Sequence, residues 1–98
     1  MKIPDKIQIM GSEIKTVYEQ HLLEEQGIGG QTNPSFNEIR LRKVIESREI
    51  GEDKLFETYF HEVVHTILNK LGYSELANDE TFVAGLSNAL VQVIKQLK

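Results

Sequence analysis

The chain has 98 residues, 40% hydrophobic and 27% charged, which suits one domain with a single modest core. Its formal net charge of −4 offers no basic footprint, which argues against nucleic acid as a partner. With no cysteine, disulfides and thiolate metal sites are excluded, and any metal must be held by nitrogen and oxygen.

Residues 6–10, Lys-Ile-Gln-Ile-Met, alternate polar and apolar side chains as a half-buried strand does. Gly11-Ser12 is a turn signal, and the alternation resumes over Glu13–Tyr18, so the spacing predicts a β-hairpin. His21–Gln26 reads as a short helical connector ending at Gly27. The glycine-rich run Gly27–Pro34 is not a phosphate-binding loop, since no Gly-Lys-Ser/Thr follows it. Its glycines permit close approach of another backbone, which suits an edge strand receiving a peptide and a flexible loop equally well. Phe36–Lys43 alternates again and predicts a strand with Ile39 and Leu41 on one side and a charged outer face. Arg40, Arg42, Lys43 and Arg48 are read as a solvated face balancing nearby glutamates rather than a substrate patch. Residues 46–53 form a polar lead into the next element.

That element is predicted as a helix from about Asp53 to Leu71, with Gly72 as its stop signal and Phe56, Phe60, Val63, Ile67 and Leu71 as its apolar stripe. At its centre stands His61-Glu62-Val63-Val64-His65, the HExxH pattern. Residues four apart share one helix face, so His61 and His65 can direct two imidazoles at a single ion. Zinc accepts neutral imidazole nitrogen at about 2.0–2.1 Å in tetrahedral geometry. Glu62, about 100° further round the helix, is placed to act as a base on water at such an ion rather than as a ligand. The competing reading is a chance pair of histidines. Against it, the chain has only three histidines, two of them in this frame, and the helix is supported independently by its apolar spacing.

Asn78 or Asp79 can cap a second helix running from about Asp79 to Leu97, with the apolar stripe Val83, Leu86, Leu90, Val93, Ile94 and Leu97. The two helices are expected to pack as an αα-hairpin against one side of the sheet. A catalytic zinc commonly takes three protein ligands. Glu80 leads as the third, with Asp79 and His21 as alternatives; acidic residues also favour a first helical turn simply because they complement its dipole.

His61-Glu62-Val63-Val64-His65 followed by Glu80-Thr-Phe-Val-Ala on a second helix resembles the HExxH zincin metallopeptidases of the glutamate-liganded, gluzincin-like type. The likeness is to short single-domain versions encoded by phages and mobile elements, near the SprT-like and ImmA/IrrE-type families, and covers most of the chain. It implies an α+β minimal zincin, with a small twisted, mostly antiparallel sheet in the N-terminal half packed on two long C-terminal helices. It implies further that His61, His65 and Glu80 bind Zn2+, that Glu62 is the general base, and that an edge strand pairs with substrate. The long metzincin extension after the motif helix and the zinc-ribbon cysteines of some SprT-like proteins are both absent. Tyr59, Tyr73 and His21 are the candidates for stabilising a transition state.

The expected activity is that of a zinc metalloendopeptidase acting on a peptide or protein substrate. The alternative is a zinc-bound, non-catalytic module that regulates or binds a protein partner. Met1–Lys6 lacks an apolar signal region and no apolar run reaches membrane length, so the expected location is cytoplasmic, away from membranes.

Overall fold

Hairpin chemistry sets up the first two strands of the computed structural model, which describes residues 1–97. β1 (Lys6–Ile9) and β2 (Ser12–Tyr18) pair antiparallel with Ile7 opposite Ile14 and Ile9 opposite Ser12. The turn residues are Met10 and Gly11, at φ 48° and 86°. Two successive left-handed residues form the turn whose twist matches the flanking strands. The turn therefore lies one residue earlier than Gly11-Ser12, because Met10 takes a conformation that a long apolar side chain rarely adopts.

After α1 (Gln20–Gln26), closed by Gly27 at φ 69°, the glycine-rich run resolves as a strand, β3 (Gly30–Asn33), and β4 (Glu38–Leu41) follows. The four strands lie in the order β1-β2-β4-β3. β4 runs parallel to β2, with Thr16 beside Ile39, and antiparallel to β3, with Thr32 beside Ile39. β3 is therefore an outer strand. The polar lead contains a small hairpin, β5 (Val44–Ile45) and β6 (Arg48–Glu49), turned through Glu46 and Ser47 at positive φ.

The C-terminal half is helical: α2 (Glu52–Leu71), the single turn α3 (Ser74–Ala77) and α4 (Glu80–Gln96). Glu52 and Asp53 in the first turn of α2 and Lys70 in its last complement the helix dipole. Gly72, at φ 84°, ends α2, and the N–H groups of Gly72 and Tyr73 return to the carbonyls of Asn69 and Leu68. Asp79 caps α4 by accepting the Phe82 N–H at 3.1 Å. The molecule is thus α+β, a mostly antiparallel sheet packed on C-terminal helices. Among the described residues no helix is long and apolar enough to cross a membrane.

Ile9, Ile14, Ile39 and Leu41 from the sheet meet Phe56, Tyr59 and Val63 of α2 and Val91 of α4 in the main core. Ile14, Ile39 and Leu41 are almost wholly buried, each worth roughly 1.5–3 kcal/mol of transfer free energy. Val64, Leu68, Ala77 and Val83 form a second cluster between α2, α3 and α4.

The predicted stripe of α4 is rotated, and that of α2 is widened. On α2, Phe56 and Val63 are buried and Phe60 and Ile67 pack against the core as predicted, but Tyr59, Glu62, Val64, Thr66 and Leu68 are buried as well, while Leu71 stands 49% exposed. This helix packs against the sheet on one side and the other helices on the other, so a single stripe cannot describe it. On α4 the buried line is Val83, Ser87 and Val91, spaced four apart, while Leu86, Leu90, Val93 and Leu97 face outward. The small Ser87 occupies the middle of the seam where the two helices meet.

Candidate metal centre

The motif sits in the third turn of α2 and beyond, where the helix passes under the sheet's outer strand. With Tyr59 and Val63 turned into the core, His61 and His65 fall on the border of the buried face, and both are partly exposed. Their rings stack edge to face with centroids 4.9 Å apart. α4 begins opposite them, because Gly72 breaks α2 and α3 reverses the chain before the Asp79 cap. That places Glu80, an exposed first-turn residue, over both imidazoles.

The resulting geometry is a small ring of four atoms, two imidazole nitrogens and the two Glu80 oxygens. His61 Nε2 lies 3.0 Å from Glu80 Oε2, His65 Nε2 lies 3.0 Å from Glu80 Oε1, and the two Nε2 atoms lie 3.2 Å apart. Four ligands at about 2.0–2.1 Å around a tetrahedral ion stand about 3.3 Å from one another, so the 3.2 Å separation of the two imidazole nitrogens suits two ligands of one ion, with a Glu80 oxygen beside each. Neutral imidazole nitrogen and carboxylate oxygen are also suitable donors for such an ion. The group could hold a metal ion, with its ligand atoms all within 4.8 Å of one another.

Of the alternatives for the third ligand, Asp79 spends its side chain on the α4 cap, and His21 is exposed on α1 outside this group. Tyr59 is 3% exposed in the core, its hydroxyl buried without a hydrogen-bond partner among the described residues, and Tyr73 stands exposed after α2. The basic cluster is dispersed. Arg40 pairs with Glu38 at 3.3 Å, Arg42 donates to the Val44 carbonyl, and Lys43 sits over the Tyr18 ring.

Glu62 lies beside the ligand group without belonging to it, reaches β3 through its carboxylate, and is only 7% exposed. Its Oε1 accepts the Thr32 hydroxyl at 2.8 Å. Burial pushes this carboxyl above its ordinary value; the Thr32 hydrogen bond and the two imidazoles pull it back only in part. Gly30, one residue pair along the strand, lies so near α2 that a Cβ there would fall 2.9 Å from Thr58 Cγ2 and 3.3 Å from Glu62 Cγ. The glycine is required by close approach of helix to strand, not by a turn. Neither Thr32 nor Gly30 carries a sequence signal for this role beyond the general rule that glycine in a strand marks close contact.

Two open grooves meet at this point. One, of about 500 Å3, runs past Gly29, Gly30, Lys54, Thr58, Ala84 and Asn88. The other, of about 400 Å3, runs past Gln31, Thr32, Asn69, Ala77 and Asn78. His61, Glu62 and Glu80 line both.

The outer edge of β3 faces these grooves with usable backbone groups. The Arg42 N–H donates to the Gly29 carbonyl, which fixes the alternation: Gly29, Gln31 and Asn33 bond to β4. The N–H and C=O groups of Gly30 and Thr32 therefore point to the open edge, and no further backbone bond reaches them among the described residues.

Compared with protein-family models, curated proteins and solved structures, the chain matches none.

Proposed function

We propose that the protein is a zinc-dependent endopeptidase in which His61, His65 and Glu80 hold the ion and Glu62 is the general base. The observation that carries this reading is the cluster of His61, His65 and Glu80 donor atoms with the buried Glu62 carboxylate beside it, set where two grooves meet an open strand edge. A zinc ion held there supplies Lewis acidity, polarising a carbonyl and acidifying water.

The chain's own residues account for the rest. The open edge of β3 binds an extended peptide through the backbone groups of Gly30 and Thr32, by strand addition. Because grooves extend to both sides of the ligand group, the peptide can run through rather than end there, which favours an internal bond as the target. Glu62 accepts a proton from the attacking water and delivers it to the departing amine. Its burial raises its proton affinity above that of an exposed carboxyl, the direction that suits a proton acceptor.

A second reading, a zinc-bound module that engages a protein partner without turnover, has one observation in its favour. Tyr59 is locked in the core, and neither Tyr73 nor His21 lines the two grooves. One experiment separates the readings: metal content of the purified protein by elemental mass spectrometry, beside cleavage of an unfolded protein substrate by wild type and Glu62→Gln. One zinc per chain in both, with cleavage only by wild type, supports the peptidase. Zinc without cleavage supports the module, and no zinc after supplementation refutes both.

A further inference from the structure

We propose that Thr32 is a positioning residue for Glu62, and that it ties the orientation of the base to the docking of the substrate strand. The inference rests on the peptidase reading and names how that site is regulated. A buried carboxylate on a long side chain needs an external hold if one oxygen is to meet the reacting water in a fixed direction. Thr32 supplies it from across the groove, thirty positions away in sequence.

The threonine has one hydroxyl proton and two acceptors within reach, Glu62 Oε1 at 2.8 Å and the Glu62 carbonyl at 3.2 Å. The carbonyl is already served by the Thr66 hydroxyl at 3.0 Å, so the Thr32 proton is left for the carboxylate. With Oε1 held, the second oxygen, Oε2, lies under Gly30, where a Cβ would stand 3.4 Å from it. The missing side chain at Gly30 leaves that oxygen its room. One oxygen is tethered and the other left clear of any side chain at position 30, and both conditions are met by residues of β3.

The same two residues, Gly30 and Thr32, turn their backbone groups to the open edge. A peptide added to that edge fixes the backbone of Thr32 while the Thr32 side chain fixes the base. Docking and base alignment therefore share a residue. Because the backbone anchor is independent of the side chain, removing the hydroxyl should slow the chemical step and leave binding intact.

The test compares wild type with Thr32→Val, which keeps the shape and deletes the donor, and Thr32→Ser, which keeps the donor. Zinc content, kcat and KM are measured on one cleaved peptide, with Glu62→Gln as the silent control. Loss of an outer partner of a functional group typically costs about 10–100-fold. Thr32→Val should lose kcat by about that factor with KM and zinc content unchanged, and Thr32→Ser should recover most of it.

The proposal is overturned if Thr32→Val cleaves as wild type does, if KM or zinc content moves with kcat, or if Thr32→Ser falls as far as Thr32→Val. If wild type does not cleave, the peptidase reading fails and this proposal falls with it. That outcome is recognised because wild type then matches the Glu62→Gln control.

Discussion

Replacing Gly30 by alanine should reverse its effect on stability according to what stands at position 58. The added Cβ would lie 2.9 Å from Thr58 Cγ2, at least about 0.6 Å inside a comfortable carbon–carbon contact. Thr58 is poorly placed to yield. It is β-branched within a helix, and its hydroxyl is bonded to the Lys54 carbonyl at 3.1 Å, which holds the methyl toward the strand. Overpacking of this kind costs about 1–3 kcal/mol. Against it stands a gain of about 0.4–1 kcal/mol, because alanine restricts the unfolded chain and Gly30 is not among the residues at positive φ.

The balance for Gly30→Ala in the wild-type background is therefore a loss of up to about 2.5 kcal/mol. In a Thr58→Ala background the methyl is gone and only Glu62 Cγ, 3.3 Å from the added carbon, has to give by a few tenths of an ångström, so the same substitution should be neutral or stabilising by up to about 1 kcal/mol. Urea unfolding of the four metal-free proteins, analysed as a double-mutant cycle, measures the difference directly. Equal effects of Gly30→Ala in the two backgrounds would refute the claim that strand and helix are in contact through this glycine.

Two further substitutions separate the neighbouring acids at the start of α4. Glu80→Ala should weaken zinc binding by more than the roughly 10–100-fold typical of an outer partner, as read by competition with a coloured chelator. Asp79→Ala should leave zinc affinity alone and cost about 0.5–2 kcal/mol of stability through loss of the Phe82 cap; the opposite pattern would exchange their roles. The raised proton affinity of Glu62 has its own signature in metal-free protein. The folded state holds this proton more tightly than the unfolded state, so the group's stabilising contribution is full below its ordinary value of 4.5 and is lost as pH rises. Metal-free Glu62→Gln should therefore be more stable than wild type at neutral pH, with the advantage shrinking toward pH 4 in parallel melts. An advantage that grows on acidification would contradict the burial of the carboxyl.

Elements with a strong local rhythm were legible in the sequence. The predicted bounds of α2 and α4 differ from the structure by one residue at most ends, and Ile39 and Leu41 face inward as their alternation requires. Gly72 and Asp79 serve as stop and cap, since both act through their own backbone neighbourhood. What depends on distant partners was not legible. Gly-Gln-Thr-Asn has no alternation to mark it as a strand, and only pairing with β4 makes it one. The widening of the buried face of α2 follows from burying Glu62 and Thr66, polar residues that periodicity assigns to solvent. The meeting of His61, His65 and Glu80 could be anticipated from helix spacing and a short reversal. The contact of Thr32 with Glu62 could not, because no residue near either one announces the other.

The Thr32–Glu62 contact carries a consequence for the time course of folding. Glu80 reaches the histidines across one short reversal between adjoining helices. The strand that holds Glu62 must instead find α2 from farther off, with Thr32 and Glu62 brought together over thirty positions against nineteen for His61 and Glu80. Contacts distant along the chain are slower to form than near ones, since loop closure must precede any reward. Refolding should accordingly bring His61, His65 and Glu80 together on a helical hairpin before the Glu62 carboxylate is seated, so that metal uptake, where it occurs, precedes burial of that carboxylate.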